Sequence, residues 1–266
     1  MRGRHFKAIV RVAMALLTLT LAIPQTHAAE CDGQAGYFSE DFRSTRSFAE
    51  NWKTYFTLRE VSGGTRLMPQ LVDFRPAGEG MVRFKTWASF SSQIGTQCDN
   101  FHFGRYRFVA KVTDTTTLPL KQGVVFGLFL FRDRRPQDPN NEIDIEFTTR
   151  LKQELTTDSV NFFTHTATGM TAPRRGAAPL AQSDCEFGER CTFEFDWTQR
   201  KIDFYVNGNS VRTIYGENVV PQQPGEVRIM LWSGNKDFGG NHPWRPVSYD
   251  LYEFTYEPYN LRRGRR

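Results

Sequence analysis

The chain has 266 residues, of which 39% are hydrophobic, 24% charged and 14% aromatic, a composition too apolar for a disordered chain. Its 21 glycines and 13 prolines exclude a collagen-like or low-complexity protein. The formal charge of +5 gathers at the ends: without Arg2, Arg4, Lys7 and Arg11 at one end and Arg262, Arg263, Arg265 and Arg266 at the other, the body carries about −3, which disfavours nucleic-acid binding by a basic face.

Residues 1–29 read as an export leader. The four leading cations form a positive n-region, Val12 to Ile23 is an apolar run too short to span a bilayer, and Thr26-His27-Ala28-Ala29 offers small residues for cleavage. The remainder has no run of the roughly 18 to 20 apolar residues that a membrane crossing needs. The expectation is a secreted or periplasmic monomer with no membrane span. It would be a single domain over residues 30–258, followed by a solvated basic tail at 259–266. Four cysteines survive removal of the leader, and an even count in an exported chain suggests two disulfides. Cys185 and Cys191 close a short loop and are paired with each other, which leaves Cys31 for Cys98; the spacing is too open for a zinc site.

From residue 35 onward, short runs rich in Phe, Val, Ile and Tyr alternate with period two between Gly, Pro, Asn and Asp, the mark of strands and turns. Strands are expected near Thr54–Leu58, Met81–Thr86, Tyr106–Val112, Gly123–Phe131, Glu142–Thr148, Ser159–Thr164, Thr192–Trp197, Ile202–Val206, Val211–Ile214, Glu226–Trp232 and Val247–Thr255. Gly123–Phe131 is apolar on both faces, as a central strand covered on both sides would be. Asn207-Gly208 suits a type I′ turn, whose two central residues need positive φ. No segment beyond the leader keeps a 3.6-residue period. So many short antiparallel strands require two packed sheets, since one sheet would leave an apolar face in water. The fold class is therefore all-β, a sandwich.

One stretch carries chemistry: Asn141-Glu142-Ile143-Asp144-Ile145-Glu146-Phe147. On a strand, Glu142, Asp144 and Glu146 project from one face while Ile143, Ile145 and Phe147 pack beneath. Neighbouring acids then lie about 7 Å apart at Cα, close enough to perturb one another's ionisation. An edge-strand charge row or a calcium platform is the plain structural alternative. Mutual repulsion is more useful to an enzyme that needs one acid ionised and another protonated at the same pH. Glycoside hydrolysis has that requirement, and two Glu side chains leaning together on a concave sheet reach the ~5–5.5 Å separation of a retaining pair.

Glu142-Ile143-Asp144-Ile145-Glu146 resembles the E-x-D-x-E signature of glycoside hydrolase family 16, in the form found in lichenases and xyloglucan-modifying enzymes. Phe103-Gly104-Arg105-Tyr106, Asn161-Phe162-Phe163-Thr164, Phe195-Asp196-Trp197, Ile202 to Gly208 and Met230-Leu231-Trp232-Ser233-Gly234 follow in that family's order. The resemblance spans roughly residues 36–256 and implies a concanavalin-like jelly roll with a glycan cleft across the concave sheet. It makes Glu142 the nucleophile, Asp144 the assisting acid and Glu146 the general acid/base. It also makes Trp232 a sugar-stacking platform and places Asn161, with Phe163 on the same strand, in the cleft. Asp250 resembles a residue that helps to hold a structural calcium on the convex side; otherwise no cofactor is required. The chain departs from the pattern at Asn140, where a tryptophan is common, at Met230 in place of an Asn, and near Ile94 to Thr96, where an arginine and an acid are missing.

Arg132, Arg134 and Arg135 in the loop before the acidic strand are suited to anions on an acidic polysaccharide, with Arg135 taken as the substrate contact. His102, His165 and His242 show no metal-like spacing, and His165 falls beside the expected cleft strand. The expected activity is endo-acting cleavage of a β-linked glycan, a β-glucan or a bacterial exopolysaccharide, by retaining double displacement. Transglycosylation by the same chemistry and a non-catalytic lectin-like sandwich are the alternatives.

Overall fold

The computed structural model describes residues 31–259 apart from 32–33, 58–63, 76–79, 112–117, 119–121, 133–140, 150–158, 167–168, 171–184, 186–187, 217 and 235–237. The leader at 1–29, the loop residues Arg134, Arg135 and Asn140, and the arginines of the tail lie outside the described residues. In chain order come β1 (Phe38–Glu40), α1 (Thr45–Asn51), β2 (Trp52–Thr54), β3 (Arg66–Leu67), β4 (Val72–Arg75), β5 (Met81–Thr86), β6 (Phe90–Thr96), β7 (Gly104–Lys111) and β8 (Val124–Arg132). After these come β9 (Asn141–Thr148), β10 (Ser159–Thr166), β11 (Gly169–Met170), β12 (Arg190–Trp197), β13 (Lys201–Val206), β14 (Asn209–Tyr215), β15 (Glu226–Ser233) and β16 (Val247–Pro258). Among the described residues no helix is long and apolar enough to cross a membrane.

Two sheets form, one ordered β14-β13-β12-β7-β16-β5-β4 with β1 beside β16, the other β11-β10-β9-β8-β15-β6-β2 with β3 beside β6. Every pairing is antiparallel except the short β3–β6 pair. Aromatic rings join the layers: Phe126 stacks on Tyr249 at 4.8 Å, Phe147 meets Phe193 edge-on at 4.6 Å, and Phe162 lies 5.2 Å from Phe204. Phe126, Phe147, Phe193 and Phe204 are all essentially inaccessible, and each stabilises the fold by roughly 1.5–3 kcal/mol through burial. The sandwich expected from the period-two pattern is the observed architecture.

The hairpin at Asn207-Gly208 has φ of 46° and 81° at its two central residues, as the I′ turn requires. Both disulfides pair as expected, Cys31 with Cys98 and Cys185 with Cys191. Three expectations need correction. The strand placed at Thr54–Leu58 lies earlier, at Trp52–Thr54, because Trp52 buries its ring against Phe42 and Phe254; Tyr55 and Thr57 follow outside any strand. β8 is central but not covered on both sides. Val124, Phe126, Leu128 and Leu130 enter the core, while Phe129 and Phe131 border an open cleft. α1 is a helical turn not expected from the pattern; Ser44 caps it by accepting from the Ser47 amide.

Asp250 on β16, expected to help hold calcium, is engaged by a basic side chain. Its two oxygens accept from Nε and Nη2 of Arg83 at 2.7 and 2.8 Å, so a fixed guanidinium already neutralises the carboxylate by a bidentate pair. Asp250→Ala is expected to cost about 2 kcal/mol and to lower the melting temperature by about 4–8 °C. Calcium or a chelator should move the wild-type melting temperature by less than about 1 °C; a clear rise with calcium, read by differential scanning fluorimetry, would reinstate the metal.

Candidate active site

The acid row is positioned by the strand that carries it. Ile143, Ile145 and Phe147 are buried to 0–1% exposure, so β9 cannot rotate without moving its apolar side out of the core. Its other face is therefore fixed toward the concave side. Antiparallel register sets the neighbours in rungs: His165–Glu142–Phe131, Phe163–Asp144–Phe129–Arg228 and Asn161–Glu146–Gly127–Met230–Gln93. Trp232 begins the next rung, opposite Val125 and Thr148.

Above these rungs lies a cavity of about 490 Å³ bordered by all three acids together with Tyr55, Thr57, Leu67, Gln93, Gly127, Phe129, Phe131, His165, Arg228, Met230 and Trp232. Gly127 matters to its shape. A Cβ there would stand 3.2 Å from the Phe129 ring, and any longer side chain would fill the floor between Glu146 and Met230. Trp232 stacks on Phe238, centroids 6.1 Å apart, and packs with Leu67, Val125 and Met230.

The carboxyl groups sit among protein atoms although parts of the Glu142 and Glu146 side chains reach the cavity wall. Burial pushes Glu142 up to about 7, opposed by a hydrogen bond with Asp144 and by the positive charge of Arg228. Burial and then the Glu142 charge push Glu146 up to about 8. Asp144, 1% exposed, is raised well above its ordinary range by burial and by both flanking glutamates. Asp144 Oδ2 and Glu146 Oε2 have no hydrogen-bond partner, so the row holds unspent polar capacity. Burial lowers His165, leaving its imidazole neutral at pH 7.

At the other side of the cleft, Glu226 accepts from the Tyr55 hydroxyl at 2.7 Å and pairs with Lys53 at 2.6 Å and with Arg228. The Arg228 guanidinium lies 4.1 Å from the Phe131 centroid and 5.1 Å from that of Tyr55, so two aromatic faces and one carboxylate hold it in place. Glu142, Asp144 and His165 bring ligand-type atoms within 4.8 Å of one another.

Of the residues expected from sequence, Glu142, Asp144, Glu146 and Trp232 meet at the cavity. Asn161 and Phe163 share the cleft face but do not border the cavity. Asn161 is buried and donates its amide to Thr148 Oγ1 at 2.9 Å, bracing β10 against β9, and Phe163 packs edge-on against His165 at 5.3 Å. Arg135 falls outside the described residues, and Arg132 donates to the Pro224 carbonyl at 3.3 Å. Tyr55, Gln93, Phe129, Phe131 and Arg228 were not expected. Arg228, Met230 and Trp232 alternate along β15, so Arg228 shares the cleft face with the tryptophan that the resemblance pointed to.

An open sandwich whose concave sheet carries an acidic strand and aromatic walls is the architecture of the concanavalin-like jelly rolls. The chain belongs to the glycosyl hydrolases family 16, whose sequence profile matches residues 64–245. It is 31% identical over 139 residues to a beta-glucanase of Brevibacillus brevis, covering 51% of this chain and 47% of that one. It is 27% identical over 139 residues to Crh-like protein UTR2 of Candida albicans, covering 49% and 27%. The matched stretch thus spans less than half the length of these curated relatives. Among solved structures, a Bacillus licheniformis beta-glucanase superposes with a TM-score of 0.68 at 20% identity over 85% of this chain and 99% of that one. The apo Crh5 transglycosylase gives 0.56 at 22% identity over 86% and 87%. At such identities the likeness is one of fold.

Keeping acids protonated in the folded state has a pH signature. A carboxyl raised from 4.5 to about 8 carries no penalty below its unfolded pKa, and the penalty grows as pH rises between the two values. Glu146→Gln is therefore expected to raise the melting temperature by at least ~3 °C at pH 8 and to change it little at pH 4.5. An equal gain at both pH values would show that Glu146 is not held protonated by its surroundings.

Proposed function

We propose that the protein is an exported, endo-acting β-glycan hydrolase that works by retaining double displacement. The observation that carries this reading is the meeting of three β9 carboxyls in one aromatic-walled cavity, with environments that hold them at different proton affinities. Glu142 has the lower of the two glutamate values and the nearby Arg228 charge, and it acts as the carboxylate nucleophile on the anomeric carbon. Glu146 keeps its proton to higher pH and gives it to the departing glycosidic oxygen. The resulting glycosyl ester on Glu142 is then opened by water, whose proton returns to Glu146, and both residues regain their starting states. Asp144, hydrogen-bonded to Glu142, orients the nucleophile and shares the proton that repulsion between neighbouring carboxylates keeps on the row.

The substrate class is supported by the relatives. The curated matches include several beta-glucanases, and the superposable structures include a beta-1,3-1,4-glucanase and a laminarinase. A neutral β-glucan therefore fits best, lying across the rungs with Trp232, Phe129 and Phe131 against the apolar faces of its sugars. The two disulfides suit an oxidising compartment outside the cytoplasm. A transglycosylase reading has its own support in the Crh5 superposition and differs only in whether a sugar hydroxyl or water opens the ester. A lectin that had lost turnover would gain nothing from keeping three mutually repelling acids.

Glu142→Gln is expected to lower kcat/KM on β-1,3-1,4-glucan by at least about a thousandfold; wild-type activity in this variant, measured by reducing ends, would remove Glu142 as nucleophile. Proton NMR of the first products should show the β-anomer, and initial release of the α-anomer would contradict retention. The pH profile of kcat/KM should be bell-shaped. It needs Glu142 ionised and Glu146 protonated, so activity is lost as pH falls below about 7 and again as it rises above about 8.

A further inference from the structure

The cleavage chemistry gives His165 no task, although its side chain borders the cavity of the acid row. Along the chain the histidines show no metal-like spacing, but the fold supplies what that spacing lacks. β10 sets His165 directly opposite Glu142 on β9, with its ring edge-on against Phe163 at 5.3 Å. One ligand-type atom from each of Glu142, Asp144 and His165 lies within 4.8 Å of the other two. The Glu142 side chain has three torsions with which to close the remaining gap to zinc's bond lengths of about 2.0–2.2 Å. All three residues border the same cavity of about 490 Å³, so an ion seated on them keeps an open position for water.

A second observation points to a cation at this place. Asp144 is 1% exposed and its Oδ2 has no hydrogen-bond partner; Glu146 Oε2, on the same face of β9, has none either. Buried acceptors without donors are costly, and a dication beside them offsets both that cost and the repulsion among the acids. The cation that faces the row across the cavity, Arg228, is paired with Glu226, which also binds Lys53, so its opposition to a second positive charge is blunted. The donor set then selects the ion. One imidazole nitrogen with two carboxylates suits a borderline ion such as zinc, which takes nitrogen and oxygen ligands and is content with three from the protein. Calcium wants six to eight oxygens, and an imidazole is a poor substitute for one of them.

We propose that Glu142, Asp144 and His165 form an inhibitory zinc site, completed by water, whose occupation shuts the cleft to glycan. Zinc held there engages the Glu142 carboxylate, so that it is not available to the anomeric carbon, and stands where the sugar would lie. Competition with glycan rests on the reading of the cavity as a glycan-cleaving site; the binding of the ion does not.

The test is calorimetric titration of the full chain with zinc chloride at neutral pH. One site is expected, with the affinity lowered at least about tenfold in His165→Gln and in Asp144→Asn and unchanged in His242→Asn. No zinc binding up to about 1 mM, an unchanged affinity in His165→Gln, a loss in His242→Asn instead, or calcium chloride binding as tightly as zinc would each overturn the site. Should the substituted chains fail to fold, Co²⁺ added to the wild type decides by proton NMR: paramagnetic shifts of one imidazole's ring protons are expected, and their absence overturns the proposal. In turnover of β-1,3-1,4-glucan, zinc should raise KM and leave kcat unchanged, with about ten times more zinc needed for the same effect in His165→Gln. A fall in kcat at constant KM would place the ion elsewhere and overturn the site, whereas a wild type that binds zinc as expected but cleaves no β-glucan would fail the hydrolase reading alone.

Discussion

The structure turns on one constraint, that a strand with a fully apolar underside cannot choose which way its other side faces. Ile143, Ile145 and Phe147 are locked between the sheets, and the rise of about 3.3 Å per residue then forces Glu142, Asp144 and Glu146 into line above them. The cost of assembling three acids is met by the core beneath them, not by partners beside them. Asp144 and Glu146 each keep an unpartnered oxygen, and the row is held in a state that the carboxyls alone would not adopt. Strain of this kind is usable only where the scaffold is stiff, and each Phe–Phe contact between the layers adds to that stiffness.

The floor around the row follows from the same alternation in the flanking strands. β8 offers Phe129 and Phe131 upward while Phe126, Leu128 and Leu130 go down, and β15 offers Arg228, Met230 and Trp232. Gly127 interrupts the upward series where Glu146 needs space. The charge in the cleft is also asymmetric. Arg228 acts on Glu142 but not among the causes that raise Glu146, so one end of the row is easier to ionise than the other. Under the proposed double displacement, that asymmetry, more than the number of acids, is what would let neighbouring carboxyls take different parts in one reaction.

How much of this was legible in the sequence depended on whether a segment obeyed the period-two rule. Met81–Thr86 and the acidic strand obey it and fell into place, while the disulfides followed from cysteine spacing. β6, Phe90-Ser91-Ser92-Gln93-Ile94-Gly95-Thr96, does not: it is a central cleft strand whose Ser91, Ser92 and Gln93 are buried without being apolar, so hydrophobic patterning passed it over. Arg228 was missed for a different reason. It stands on β15 directly opposite Gly95 of β6, with Glu226 holding it. A pattern read along one strand cannot see a charge supplied across the sheet. The pairing of Asp250 was out of view likewise, because its partner Arg83 lies 167 positions away in the chain.

The wall opposite the acid row is built as one unit. On β6, Gly95 leaves room that the Tyr55 ring occupies: a Cβ there would come within 3.0 Å of its hydroxyl and ring edge. Tyr55 in turn donates to Glu226 and flanks Arg228. The bare backbone at Gly95 and the guanidinium on β15 thus fit together, since a side chain at 95 would clash with the Tyr55 ring that flanks Arg228 and bonds its partner Glu226. The catalytic row can stay unchanged while the cleft wall opposite it is rebuilt as a unit, because the two are carried on different strands and coupled only through the cavity between them. On the proposed function, contacts along the chain of sugars would thus fall to Tyr55, Glu226 and Arg228 on one side and Trp232 at the end, apart from the strand that carries the acids.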